Sequence, residues 1–155
     1  MKRFMMQMMR TMVTVIVVGT MAMMIFSLRA ELTEAKAKLA TLGSRLPNSH
    51  CASGAQAAIV VCGSLDNGLP GRGREYWIHD CSAAAMNILL AAKGLGLGAV
   101  WTGVYPGEER IAIVREVLAI PEGYAPLNVI PLGYPAENPT PKDKWNASKV
   151  HYDTW

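Results

Sequence analysis

Residues 11–28, TMVTVIVVGTMAMMIFSL, are eighteen consecutive residues without a charge, with Lys2, Arg3 and Arg10 before them and Arg29 after. No other feature constrains the chain as strongly. The run is near the length needed to span a bilayer, and it is apolar all round, with no polar face of the kind a buried core helix of a soluble domain would turn outward. A cleaved signal peptide usually has a shorter apolar core that ends at a small-x-small site. Here the best candidate, Leu28-Arg29-Ala30, puts a large residue and a charge where small ones belong. The run therefore predicts an uncleaved anchor. Basic residues dominate before it, whereas Arg29, Lys36 and Lys38 are nearly balanced by Glu31 and Glu34 after it, so the N-terminus is expected in the cytoplasm and the rest outside. The next segment, ELTEAKAKLATLGSRL, has helix-forming composition, with Leu32, Leu39, Leu42 and Leu46 as apolar points, and breaks at Pro47-Asn48-Ser49. It reads as a stalk helix followed by a linker.

The whole chain has 155 residues, enough for one modest domain with a real core. Its hydrophobic fraction of 51% against 17% charged residues argues against disorder, and the anchor explains part of that excess. A net charge of +3 from scattered basic residues, with no cluster interleaved with aromatics, gives no nucleic-acid footprint. Cys51, Cys62 and Cys81 are odd in number and unevenly spaced, which fits neither a disulfide framework nor a metal knuckle and suits buried or free thiols. His50, His79 and His151 are dispersed, with no pair at helical zinc-site spacing, so no metal is expected.

Beyond the linker, AAIVVC (residues 57–62) is a short, partly β-branched apolar run ended by Gly63, which predicts a buried strand. SLDNGLPGRGR carries the turn signals Asn67-Gly68 and Pro70-Gly71. From Glu75 to Lys93 the apolar positions Trp77, Cys81, Ala84, Ile88 and Ala92 recur at three or four and predict a helix, capped by the glycines of GLGLG before a strand over residues 99–102. Those glycines follow a helix, whereas a dinucleotide fingerprint needs them after a strand and opening a helix. Pro106 opens a second helix with Glu108 and Glu109 in its first turn, Ile111, Val114 and Leu118 as its apolar stripe, and Pro121 as its end. LNVIPL (residues 127–132) is strand-like, although Pro131 weakens a central-strand assignment. Residues 133–155 are Pro-rich, carry Lys142, Lys144 and Lys149, and read as an extended tail that wraps a partner surface.

Taken in order, GREYWIHDCSAAAMNILLAAKGLGLGAVWTGVYP and PLNVIPLGYPAENPTPKDKW resemble the C-terminal half of bacterial nitroreductase-family flavoproteins. The resemblance runs from about Ala58 to Trp155. It implies an α+β fold, a central sheet flanked by helices, forming an intertwined homodimer with FMN at the subunit interface. NADH or NADPH would be the reductant, and nitroaromatics, quinones or related small molecules the acceptors. By position, Trp101, Thr102, Gly103 and Val104 match the turn whose backbone approaches the isoalloxazine ring, and a residue without Cβ at 103 permits that approach. Lys142 and Lys144 match the paired cations that meet the FMN phosphate, and on extended chain an alternating pair shares one face. The helix over residues 75–93 matches the one that packs at the dimer interface. No catalytic side chain is expected, because the flavin carries the hydride while the protein orients it. His79, Asp80 and Ser82 lie too close along one helix to converge as a hydrolase site.

The expected organisation is thus an apolar segment over residues 1–30, a stalk and linker over 31–56, and a partial nitroreductase-like fold over 57–155. Before Ala58 the chain lacks the family's Arg- and Ser-bearing phosphate-binding helix and its Pro-Ser-x-x-Asn-x-Gln-Pro-Trp-like loop. An exported orientation also conflicts with supply of cytoplasmic reduced nicotinamide. The alternative is therefore a non-catalytic, membrane-anchored or truncated remnant that lacks the N-terminal FMN-binding half.

Overall fold

A computed structural model describes the backbone of residues 2–155 and the side chains of residues 20–155 other than Arg72. In chain order the elements are α1 (Lys2–Arg45), the single turn α2 (Cys51–Gly54), β1 (Ala57–Ser64), α3 (Trp77–Gly94), β2 (Gly98–Ala99), β3 (Thr102–Gly103), α4 (Glu108–Leu118) and β4 (Tyr124–Gly133). The most apolar stretch of the latter half makes the longest strand, β4, and every other strand pairs antiparallel with it. β1 lies along one edge of β4, while β2 and β3 lie along it as two short pieces.

Two of these pairings differ from the sequence reading. The strand expected over residues 99–102 is split, because Val100 and Trp101 leave the ladder between β2 and β3. Pro131 does not keep β4 at an edge. It sits opposite Ala58, and a second proline, Pro126, lies where the β1 register shifts between Val61 and Cys62. A bulge of that kind is a place where a residue without an N–H is tolerated inside a sheet.

The core has two parts. One gathers Leu42 and Leu46 from the end of α1, Ile113 and Val114 from α4, Val104 and Val129. The other packs Trp77 and Cys81 of α3 against Leu127, with Val61, Trp101 and Tyr105 around them. Leu39, Leu42 and Leu46, spaced three and four apart, are all buried, so the leucines expected along a stalk instead put the end of α1 into the core. α1 stops at Arg45, just before Pro47. The Arg45 guanidinium donates two hydrogen bonds of 2.8 Å to the Glu116 carboxylate and ties α1 to α4. These bonds, with the positive charge behind them, hold the Glu116 carboxyl below its ordinary range. The pair helps folding above the ordinary carboxylate pKa and is lost as acid titrates Glu116 through its lowered one, but it is solvent-exposed and contributes little.

The membrane-spanning helix expected over residues 11–28 finds no support. Residues 11–19 lie outside the described side chains, and among the described residues no helix is long and apolar enough to cross a membrane.

Candidate functional site

The turn singled out from sequence is built by β3 and the residues beside it. Thr102 is buried, and its Oγ1 donates a 2.6 Å hydrogen bond to the Val129 carbonyl on β4, so its side chain anchors the turn to the sheet. Val104 is wholly buried in the core, and its N–H is taken by the Leu127 carbonyl at 3.0 Å. Trp101 is half-buried against the Trp77, Cys81 and Leu127 cluster. Gly103 is exposed, and a Cβ placed there would meet only the Trp101 Nε1 at 3.9 Å. Thus two of the four residues, Thr102 and Val104, turn their side chains to the protein, while Trp101 and Gly103 present surface. Because β3 pairs only with β4, its other edge carries main-chain groups outside the ladder.

One polar residue near this turn was not singled out from sequence. Asn128 lies on β4 opposite Gly103 on one side and Val61 on the other. It is fully buried, and neither its Oδ1 nor its Nδ2 has a hydrogen-bond partner. An unpaired buried amide is costly, so Asn128→Val is expected to raise the stability of the protein by about 1–3 kcal/mol in urea denaturation. Unchanged or lower stability would mean that the amide is satisfied. The signal was visible as the one polar residue inside LNVIPL, but that run reads simply as an apolar strand.

The lysine pair lies elsewhere. Lys142 and Lys144 are exposed on the extended tail, and neither makes an ion pair among the described residues. Between them, Asp143 accepts a 2.9 Å hydrogen bond from the Trp145 N–H, which turns the carboxylate back onto its own segment. None of the principal cavities of the chain is lined by both a lysine of this pair and a residue of the turn. The two groups suit the two ends of a flavin mononucleotide: an open glycine edge suits a flat ring and unpaired cations suit a phosphate dianion. Among the described residues no cluster of three or more His, Cys, Asp or Glu side chains could hold a metal.

Comparison with known proteins places this arrangement. A protein of Methanothermobacter thermautotrophicus, provisionally named an NADH dehydrogenase/NAD(P)H nitroreductase, is 52% identical over 99 residues, covering 64% of this chain and 50% of its own length. The chain therefore spans about half the length of that relative. The structure of a Bacteroides thetaiotaomicron protein with the same provisional name is 46% identical, with a TM-score of 0.72 over 77% of this chain and 68% of that one. An FMN-dependent nitroreductase of Clostridium difficile is 27% identical, with a TM-score of 0.69 over 77% of this chain and 71% of its own. The model of the nitroreductase family matches residues 7–134. The resemblance is thus not confined to the C-terminal half, since the match takes in all of the apolar run at residues 11–28 and, but for residues 1–6, the whole segment before Ala58. With more than half of its residues inside that match, and with the same mixed helix and antiparallel-sheet fold as these structures, the chain belongs to the nitroreductase family.

Proposed function

We propose that this protein is an FMN-dependent oxidoreductase of nitroreductase type, taking hydride from NADH or NADPH and delivering it to nitroaromatic or quinone-like acceptors. The observation that carries the reading is the open, side-chain-free edge of β3 at Gly103, where main chain can lie against a flat ring. The names of the Methanothermobacter and Clostridium relatives support the reductant and the cofactor respectively. When bound, FMN supplies the hydride chemistry. The chain's own task is to hold and orient it: Trp101 and Gly103 would border the ring, Thr102 would keep the turn fixed to β4, and Lys142 and Lys144 would neutralise the phosphate. Val104 would act only by supporting the turn from the core.

A homodimer follows from the same reading. Turn and lysines lie on different parts of one chain, and α3 leaves Ala83, Ala84, Met86 and Leu90 exposed, an apolar face suited to a second copy. Between two copies, the tail of one would reach the site that the other helps to form. Replacing both Lys142 and Lys144 by Ala is expected to weaken FMN binding at least about tenfold while leaving the circular dichroism unchanged, since two charge-assisted contacts are lost from an exposed segment. FMN affinity equal to that of the unaltered protein would remove the lysines from the phosphate site.

A further inference from the structure

Cys62 and Cys81 come from different elements and open onto one cavity. Cys62 lies near the end of β1, at the register shift, and Cys81 lies one turn after Trp77 on α3. The cavity, of about 400 Å³, is also bordered by Ser64, Asn67, Trp77 and Asp80. Gly63 is what permits this convergence. A side chain there would collide with the Trp77 ring, so its absence lets α3 settle onto β1, with Cys62 and Cys81 both at the lining of one cavity. Both thiols are free, and each is near enough to other acidic groups to feel them: burial first, then Cys81, pushes the Cys62 thiol up, and burial first, then Asp80, pushes up Cys81. Neither residue is given a flavin contact above, although Cys81 belongs to the cluster on which Trp101 rests.

We propose that Cys62 and Cys81 form a dithiol site that captures soft, thiophilic ligands of low coordination number, trivalent arsenicals in the first place. Two sulfurs at one cavity satisfy a ligand that needs only two; Asp80 borders the same cavity, yet among the described residues no group of three His, Cys, Asp or Glu is arranged to hold a metal. With phenylarsine oxide the reaction is a condensation without redox change. Each thiol sulfur bonds to arsenic, the arsenic–oxygen bond breaks, and the oxide oxygen leaves as water with the two thiol protons. Because the thiolate is the attacking form and both thiols are shifted upward, capture should quicken as pH rises from neutral into the alkaline range.

The probe is phenylarsine oxide, added to full-length protein carrying Cys51→Ser so that only the two cavity thiols remain. The expected result is one arsenical per chain, with a mass gain of the reagent less one water. The adduct should survive excess monothiol, yield to a dithiol competitor and alter the fluorescence of the adjacent Trp77. Adding Cys62→Ala or Cys81→Ala to this background should weaken retention at least about hundredfold, because a two-point attachment becomes a single one. Folding of each variant is read by circular dichroism, and the two single variants serve as independent tests should one of them unfold. A folded Cys51→Ser protein that takes up no arsenical, or an adduct equally stable without Cys62 or Cys81, would overturn the site.

Discussion

Replacing Leu42 by Ala is expected to lower the stability of the fold by about 2–5 kcal/mol, the range for emptying a large buried aliphatic position. Leu42 is 2% exposed and belongs to the cluster that joins α1 to Val104, Val114 and Val129. The loss therefore reports directly whether the end of α1 is part of the domain. Leu32, ten residues earlier on the same helix, is 55% exposed, and its replacement by Ala should change stability by less than about 0.5 kcal/mol. Urea denaturation of the two variants separates the possibilities. Equal, small effects would place α1 outside the core.

The second large effect is expected at Gly63. It is buried, and a methyl group there would fall within 2.8 Å of the Trp77 Cδ2. Trp77 cannot readily yield, because it is itself 8% exposed and stacks edge-on against Tyr105 with centroids 5.0 Å apart. Gly63→Ala should therefore cost about 1–3 kcal/mol through overpacking. The cost should shrink when Trp77→Leu is made in the same chain, a coupling of at least about 0.5 kcal/mol that a double-mutant cycle measures. Strict additivity would mean that the ring does not lie over β1. Trp77 and Tyr105 join the cluster on which Trp101 rests, so the packing of α3 on the sheet also sets the position of the turn at residues 101–104 that is proposed to border the flavin.

Local signals carried much of this fold. The helix with Trp77 and Cys81 on its buried face and the helix opened by Glu108 and Glu109 follow from apolar spacing and terminal chemistry, which act over a few residues, whereas the strand expected to be buried and to end at Gly63 runs through it to Ser64 and is mostly half-buried. What was less legible depends on pairing at a distance. Pro131 argues against a central strand only if its neighbours are unknown; β4 is central because β1 pairs on one side and β2 and β3 on the other. The hydropathy of residues 11–28 is likewise silent on what the helix does further along. Hydropathy alone cannot indicate that the same helix runs on to bury Leu39, Leu42 and Leu46.

The candidate site was legible to the same degree. Of the four turn residues, Gly103 is exposed and Trp101 half-buried, whereas Thr102 and Val104, equally close in sequence, are turned inward by the alternation of a short strand and by the hydrogen bonds to Val129 and Leu127. Asn128 escaped notice because its significance lies in lacking a partner, which only packing reveals. The lysines kept their charge and exposure, but a motif cannot say whether its cations reach the same ligand as a turn some forty residues earlier in the chain.

The central claim is that this chain holds FMN, and titration of the purified, folded, full-length protein with FMN tests it most directly, followed by visible absorbance and by anaerobic addition of NADH or NADPH. The account predicts saturable binding near one FMN per chain, with protein-bound flavin absorbance that bleaches on adding the reduced nicotinamide. A folded protein that stays colourless and takes up no FMN would contradict it.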